Sequence, residues 1–109
     1  MAKKVIVVDY GLGNLFSVER ALKYVGADVE ITGEGGRIRN ADYLLLPGVG
    51  AFGDGIAELE KRDLIKPVMM FLEQNRPFLG ICLGMQLLMS ESEEFGSHPG
   101  LNIVSGKVL

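Results

Sequence analysis

The sequence predicts an α/β fold, an open and mostly parallel sheet with helices on both faces. Three observations lead there. Val5-Ile6-Val7-Val8 is an unbroken β-branched run, the mark of a strand buried on both faces. Strand-like and helix-like stretches then alternate in the order strand, helix, strand, strand, helix, helix, strand, helix. Parallel crossovers of that kind are almost always right-handed and bury a sheet between helical layers. Finally, turns rich in glycine follow three of the strand runs, where open α/β sheets collect their sites.

Each element has a local reason. After Val5–Val8, the turn Asp9-Tyr10-Gly11-Leu12-Gly13-Asn14 leads to a helix that Asn14 can cap, because its side chain accepts from a free first-turn N–H. Leu15, Val18, Leu22 and Val25 form the apolar stripe, and Gly26 stands where a glycine ends a helix. A short strand is expected over Val29 to Thr32, then a flexible connection through Gly33, Gly35 and Gly36. Asp42 to Leu46 is the third strand. Asp54 is the expected cap of the next helix, with Ile56 and Leu59 inward. Pro67 to Gln74 is the following helix, with Pro67 in its first turn. Phe78 onward is the fourth strand, and Met85, Leu88 and Met89 predict an amphipathic helix after it. Glu91, Glu93 and Glu94 read as a solvated face and Phe95 to Gly100 as a loop. Leu101 to Val104 and Gly106 to Leu109 read as two further strands.

The totals exclude several classes. At 109 residues the chain suits one domain, and 48% apolar content argues against disorder. A net charge of −3 with mixed signs gives no basic face for nucleic acid or an anionic membrane. One cysteine excludes an internal disulfide and a zinc cluster, so no metal is expected and a reducing, cytoplasmic setting is. The apolar run after Lys3-Lys4 ends at Asp9, too soon for a signal segment. Gly11 and Gly13 invite a dinucleotide reading, but Phe16 stands where the third glycine belongs and no Walker motif exists. No cofactor is expected.

Chemistry concentrates in two stretches. Gly80-Ile81-Cys82-Leu83-Gly84 is a thiol version of the G-x-S-x-G elbow. A nucleophile on a sharp strand-to-helix turn projects above the sheet, and glycines two residues either side remove side chains that would clash. The helix places its positive end beside the sulfur, and the N–H of Leu83 is left free for a developing oxyanion. Pro47-Gly48-Val49-Gly50-Ala51-Phe52-Gly53 is the second stretch, whose glycines let main-chain N–H groups turn outward. Each has a plainer reading. A lone cysteine in an apolar run can be a small buried hydrophobe, and the second stretch an ordinary strand-to-helix loop. If the strands are neighbours, the loops meet, and Cys82 could attack a carbonyl carbon opposite outward-facing amides.

Pro47-Gly48-Val49-Gly50, followed by Gly80-Ile81-Cys82-Leu83-Gly84-Met85-Gln86, resembles the class I glutamine amidotransferase family. Asp9-Tyr10-Gly11-Leu12-Gly13-Asn14-Leu15, with Gly48 to Gly53, resembles one branch, the glutaminase subunits of imidazole glycerol phosphate synthase in histidine biosynthesis. The resemblance runs from Val5 to Leu109 and implies a flavodoxin-like fold. It implies that Cys82 is the nucleophile, and that glutamine becomes glutamate and ammonia through a thioester. Leu83 and Val49 would be the backbone oxyanion donors, Val49 in a loop that must turn to present its N–H. Gly48, Gly50 and Gln86 would hold glutamine. Tyr10, Gly11 and Asn14 would face the cyclase subunit that receives the ammonia.

The family also uses a His and a Glu beyond the elbow. The single histidine, His98, does not match that position and reads as a solvated loop residue. Residues 1–109 therefore resemble the amino-terminal portion of one amidotransferase domain, with little turnover expected alone. An uncovered sheet edge there favours self-association or a domain swap. The rival readings are a non-catalytic flavodoxin-like binding or assembly module, and a cysteine hydrolase of the related α/β superfamily. The Tyr10-to-Leu15 loop and Gln86 speak against the latter.

Overall fold

A computed structural model describes residues 4–109; Lys3, named above, lies outside them. The main sheet contains β1 (Lys4–Val8), β2 (Asp28–Thr32), β3 (Tyr43–Leu46) and β4 (Phe78–Gly80). Its order is β2-β1-β3-β4, with every pair parallel. Alternation along the strands divides two faces. Ile6, Val8, Leu44 and Leu46 point into the main core. There they meet Ile38 of α2 (Gly35–Arg39), Phe52, Ile56 and Leu59 of α3 (Phe52–Lys61), and Val68 and Phe71 of α4 (Ile65–Glu73).

The opposite face carries α1 (Leu15–Tyr24). Asn14 caps it by accepting from the Ser17 N–H at 3.1 Å, and Gly26 follows it with φ +90°. No residue of α1 is fully buried, and Val25, expected on its inner stripe, is exposed. Val5, Leu22, Tyr43, Leu45 and Leu79 line an open apolar hollow on this side.

Several expectations change, among them the Phe95–Gly100 loop, which holds a short strand at His98–Pro99. The connection after Gly33 holds helix α2, because Ile38 is drawn fully into the core and α2 packs on α4. Asp54 does not cap α3: Ala51 holds that position and Asp54 lies in the first turn. The helix after the elbow, α5, spans only Leu83–Gln86. At its end the Leu88 N–H turns to Met85 O at 3.2 Å, and the carbonyls beyond are taken by a returning segment. Leu87 O accepts from Leu101 N, Leu88 O from Ile103 N and Met89 O from Asn102 N, at 2.8–3.0 Å. Met89 instead begins β5 (Met89–Ser92), flanked by β6 (His98–Pro99) and β7 (Val104–Val108) in a second sheet of order β6-β5-β7. One strand, β7, replaces the two expected, and Asn102 at φ +56° turns the chain ahead of it.

The acidic run is likewise engaged: Lys107 reaches Glu91 at 3.5 Å and Glu93 at 3.3 Å. Among the described residues, no helix is long and apolar enough to cross a membrane.

Candidate functional site

The carboxyl ends of β1, β3 and β4 are adjacent, so the three glycine turns share one end of the sheet. Ile81 N–H donates to Leu46 O at 3.0 Å, extending the β3–β4 pairing to the last residue before the bend. Cys82 then adopts φ 53°, ψ −120°, a left-handed conformation that costs an L-residue about 1–3 kcal/mol. The turn is held by Gly84 N–H on Ile81 O at 2.9 Å and by Met85 and Gln86 N–H on Cys82 O at 3.0 and 3.1 Å. Gly84 must lack a side chain, since a Cβ would penetrate the Leu46 carbonyl oxygen. A Cβ on Gly80 would lie 2.8 Å from Met85 Cα. The result is an exposed Cys82 thiol, not a packed hydrophobe. With α5 only one turn long, the dipole expected beside the sulfur is small.

Pro47 and Gly48 run alongside the elbow. Both are buried, whereas Val49 is 58% exposed. A Cβ on Gly48 would overlap the Tyr10 hydroxyl and sit 3.1 Å from Leu83 Cβ. Gly48 O accepts the Leu83 N–H at 3.2 Å. That amide, expected to be free, is therefore occupied. In a trans peptide, N–H and C=O point opposite ways, so the N–H of Val49, in the same peptide unit, turns away from Leu83. The two expected donors do not converge in this conformation.

Tyr10 departs furthest from expectation. Its ring is fully buried in the main core, and its hydroxyl donates to Pro47 O at 2.6 Å. Burial pushes the phenol well above its ordinary titration range. Its side chain therefore faces inward and cannot meet a partner. Gly11 and Asn14 are exposed at the surface of the same turn, with the Arg62 guanidinium beside Gly11.

Gln86 is half-buried on α5. His98 lies in β6, its Nε2 3.2 Å from Phe95 O and its ring against Gly53. It shares a hollow of about 450 Å³ with Asp54 and Glu94 at the start of α3. Glu94 accepts the Phe52 N–H at 3.1 Å, supplying the cap that Asp54 does not. The 42-residue separation left no local pattern to reveal that contact. A larger hollow, about 560 Å³, is lined by Arg39, Glu60, Asp63, Lys66 and neighbours and shares no residue with the glycine turns. Among the described residues, no cluster of three or more His, Cys, Asp or Glu could hold a metal.

Comparison with known proteins gives a consistent pattern. The family described as "Glutamine amidotransferase class-I" matches residues 6–107. The imidazole glycerol phosphate synthase subunit HisH of Syntrophotalea carbinolica is 48% identical over 105 residues, 96% of this chain and 51% of that protein. The subunit of the same name from Caldanaerobacter subterraneus is 52% identical over 103 residues, 94% of this chain and 51% of that protein. The chain thus spans about half the length of these curated relatives. Among solved structures, a peptidase E candidate from Listeria monocytogenes superposes with TM-score 0.75 at 16% identity, over 94% of this chain and 63% of that one. That likeness concerns the fold alone.

Proposed function

Because this chain belongs to the class-I glutamine amidotransferase family, we propose that it is the nucleophile-bearing part of a glutaminase that supplies ammonia to imidazole glycerol phosphate synthase. The observation that carries the reading is Cys82, exposed on a left-handed bend at the end of β4, with the Pro47–Gly50 turn of neighbouring β3 beside it. Relatives named as HisH subunits support the synthase assignment.

The chemistry follows from those parts. The Cys82 thiolate attacks the side-chain amide carbon of glutamine, and the C=O electron pair moves to oxygen. Collapse of the tetrahedral species expels the amine, protonated as it leaves, as ammonia and leaves a glutamyl thioester. Water cleaves that thioester to glutamate and regenerates the thiol. The Leu83 and Val49 N–H groups would receive the oxyanion in both steps, after the Gly48–Val49 peptide rotates. Such a rotation lifts Gly48 O off Leu83 N–H and brings the Val49 N–H round, so one movement arms both donors. Gly48, Gly50 and Gln86 would hold the substrate.

The base and its orienting acid would come from outside residues 1–109, which form the amino-terminal portion of one amidotransferase domain. The exposed Gly11–Asn14 turn would face a cyclase partner, in the cytoplasm. Alone, the chain turns over glutamine far more slowly than a whole glutaminase, and it self-associates through the open β4 edge.

Alkylation of Cys82 tests the reading. A chloroketone analogue of glutamine is expected to label Cys82 faster than plain iodoacetamide does, with glutamine protecting. Equal rates without protection would favour the rival, a non-catalytic flavodoxin-like assembly module. The occupied Leu83 amide is the observation on that side.

A further inference from the structure

The Pro47–Gly48 segment is clasped from two sides. On one lies the elbow, where Leu83 N–H meets Gly48 O and the Gly84 backbone sits against Leu46. On the other lies the first glycine turn. Tyr10 donates to the carbonyl of Pro47, and its hydroxyl fills the space a side chain on Gly48 would need. A Cβ on Gly13 would lie 3.3 Å from Gly48 N. The Tyr10 oxygen is thus in contact with the residue whose carbonyl closes the Leu83 amide. Pro47 has no N–H of its own, so its only backbone hydrogen-bonding group is the carbonyl that Tyr10 engages.

We infer that Tyr10 is a positioning residue, a latch whose hydroxyl holds the Pro47–Gly48 segment so that Gly48 O stays on the Leu83 N–H. Its chemistry suits the task. A phenol deep in an apolar core stays protonated and keeps donating across the working pH range. Its ring is fixed by packing, so the donor cannot wander as a surface hydroxyl would. Tyr10 also belongs to the turn whose outer residues, Gly11 and Asn14, lie at the surface. The catalytic meaning of the latch rests on the glutaminase reading; its existence does not.

Amide hydrogen exchange in the 109-residue chain provides the test. In Tyr10→Phe the ring remains and the donor is gone. The Leu83 amide should exchange roughly two- to tenfold faster, the range one neutral hydrogen bond sets. The amides of Leu44 and Ile81, bonded to Pro77 O and Leu46 O, should change less. A purely structural loss would accelerate all three alike, and that outcome overturns the latch. Should Tyr10→Phe fail to fold, 3-fluorotyrosine placed at position 10 keeps the hydroxyl and strengthens it as a donor. Leu83 exchange should then slow relative to Leu44 and Ile81; no relative change overturns the proposal. Neither readout involves glutamine. A failed alkylation test would remove the glutaminase reading and leave the latch standing, and the reverse also holds.

Discussion

At the level of single residues, Cys82 sits where stability and chemistry oppose each other. Its φ of 53° is a conformation glycine adopts without strain. Cys82→Gly should therefore raise unfolding stability by about 1 kcal/mol, the strain relieved less the added chain entropy. The same change abolishes alkylation. Urea denaturation of the two chains measures the first effect and mass spectrometry the second. The glycines around Cys82 were legible in the sequence because their role is steric and local. Tyr10 was not. Its partner Pro47 is 37 residues away, and an aromatic residue in a surface-looking turn carries no local sign that its ring points inward. The occupied Leu83 amide was equally hidden, since a peptide orientation leaves no trace in side-chain pattern.

Among the elements, β2 and α2 are joined by charge. Arg37 of α2 bonds Glu30 of β2 through both its Nε and Nη2, and Lys4 of β1 reaches Glu30 at 3.4 Å. The Arg37 guanidinium, bonded to Glu30, holds its carboxyl down at about 2, and the pair raises Arg37 in turn. A carboxyl whose folded value is depressed stabilises the fold above its unfolded value and loses that contribution as pH falls through the folded one. Glu30 is solvent-facing, so salt should weaken the effect. A carbon-detected NMR titration should place the Glu30 midpoint near 2, and Arg37→Gln should return it toward the ordinary carboxylate range. Elements whose pattern is self-contained were legible: β1 from its β-branched run and α1 from its cap and stripe. Helix α2 was not, because three glycines in four residues mask a single decisive side chain, Ile38. Helix α5 is shorter than its apolar spacing predicts, because the returning 101–104 segment takes the carbonyls of Leu87, Leu88 and Met89 just beyond it.

For the molecule as a whole, the order of turns at one end of the sheet followed from right-handed crossovers, and with it the meeting of the two chemical stretches. The second sheet did not follow, because it pairs polar, irregular strands such as Met89–Ser92 and Val104–Val108 through a shifted register. The open edge has its own expected behaviour. β4 pairs with β3 alone among the described strands, and Leu79 on it is 55% exposed. Sedimentation over a range of concentrations should show reversible self-association, and Leu79→Lys should weaken it severalfold, since an edge charge discourages strand pairing. A monomer at every concentration would count against the open-edge proposal.

The seating of Gly84 on the end of β3 has a last consequence. The position of the reactive atom is dictated by the neighbouring strand more than by the side chain at 82. Serine could stand at 82 and inherit the same perch, whereas a single methyl at 84 would lift the whole corner off its support. The fold alone tolerates exchange at position 82 and forbids it two residues beyond; only the chemistry keeps the sulfur in place.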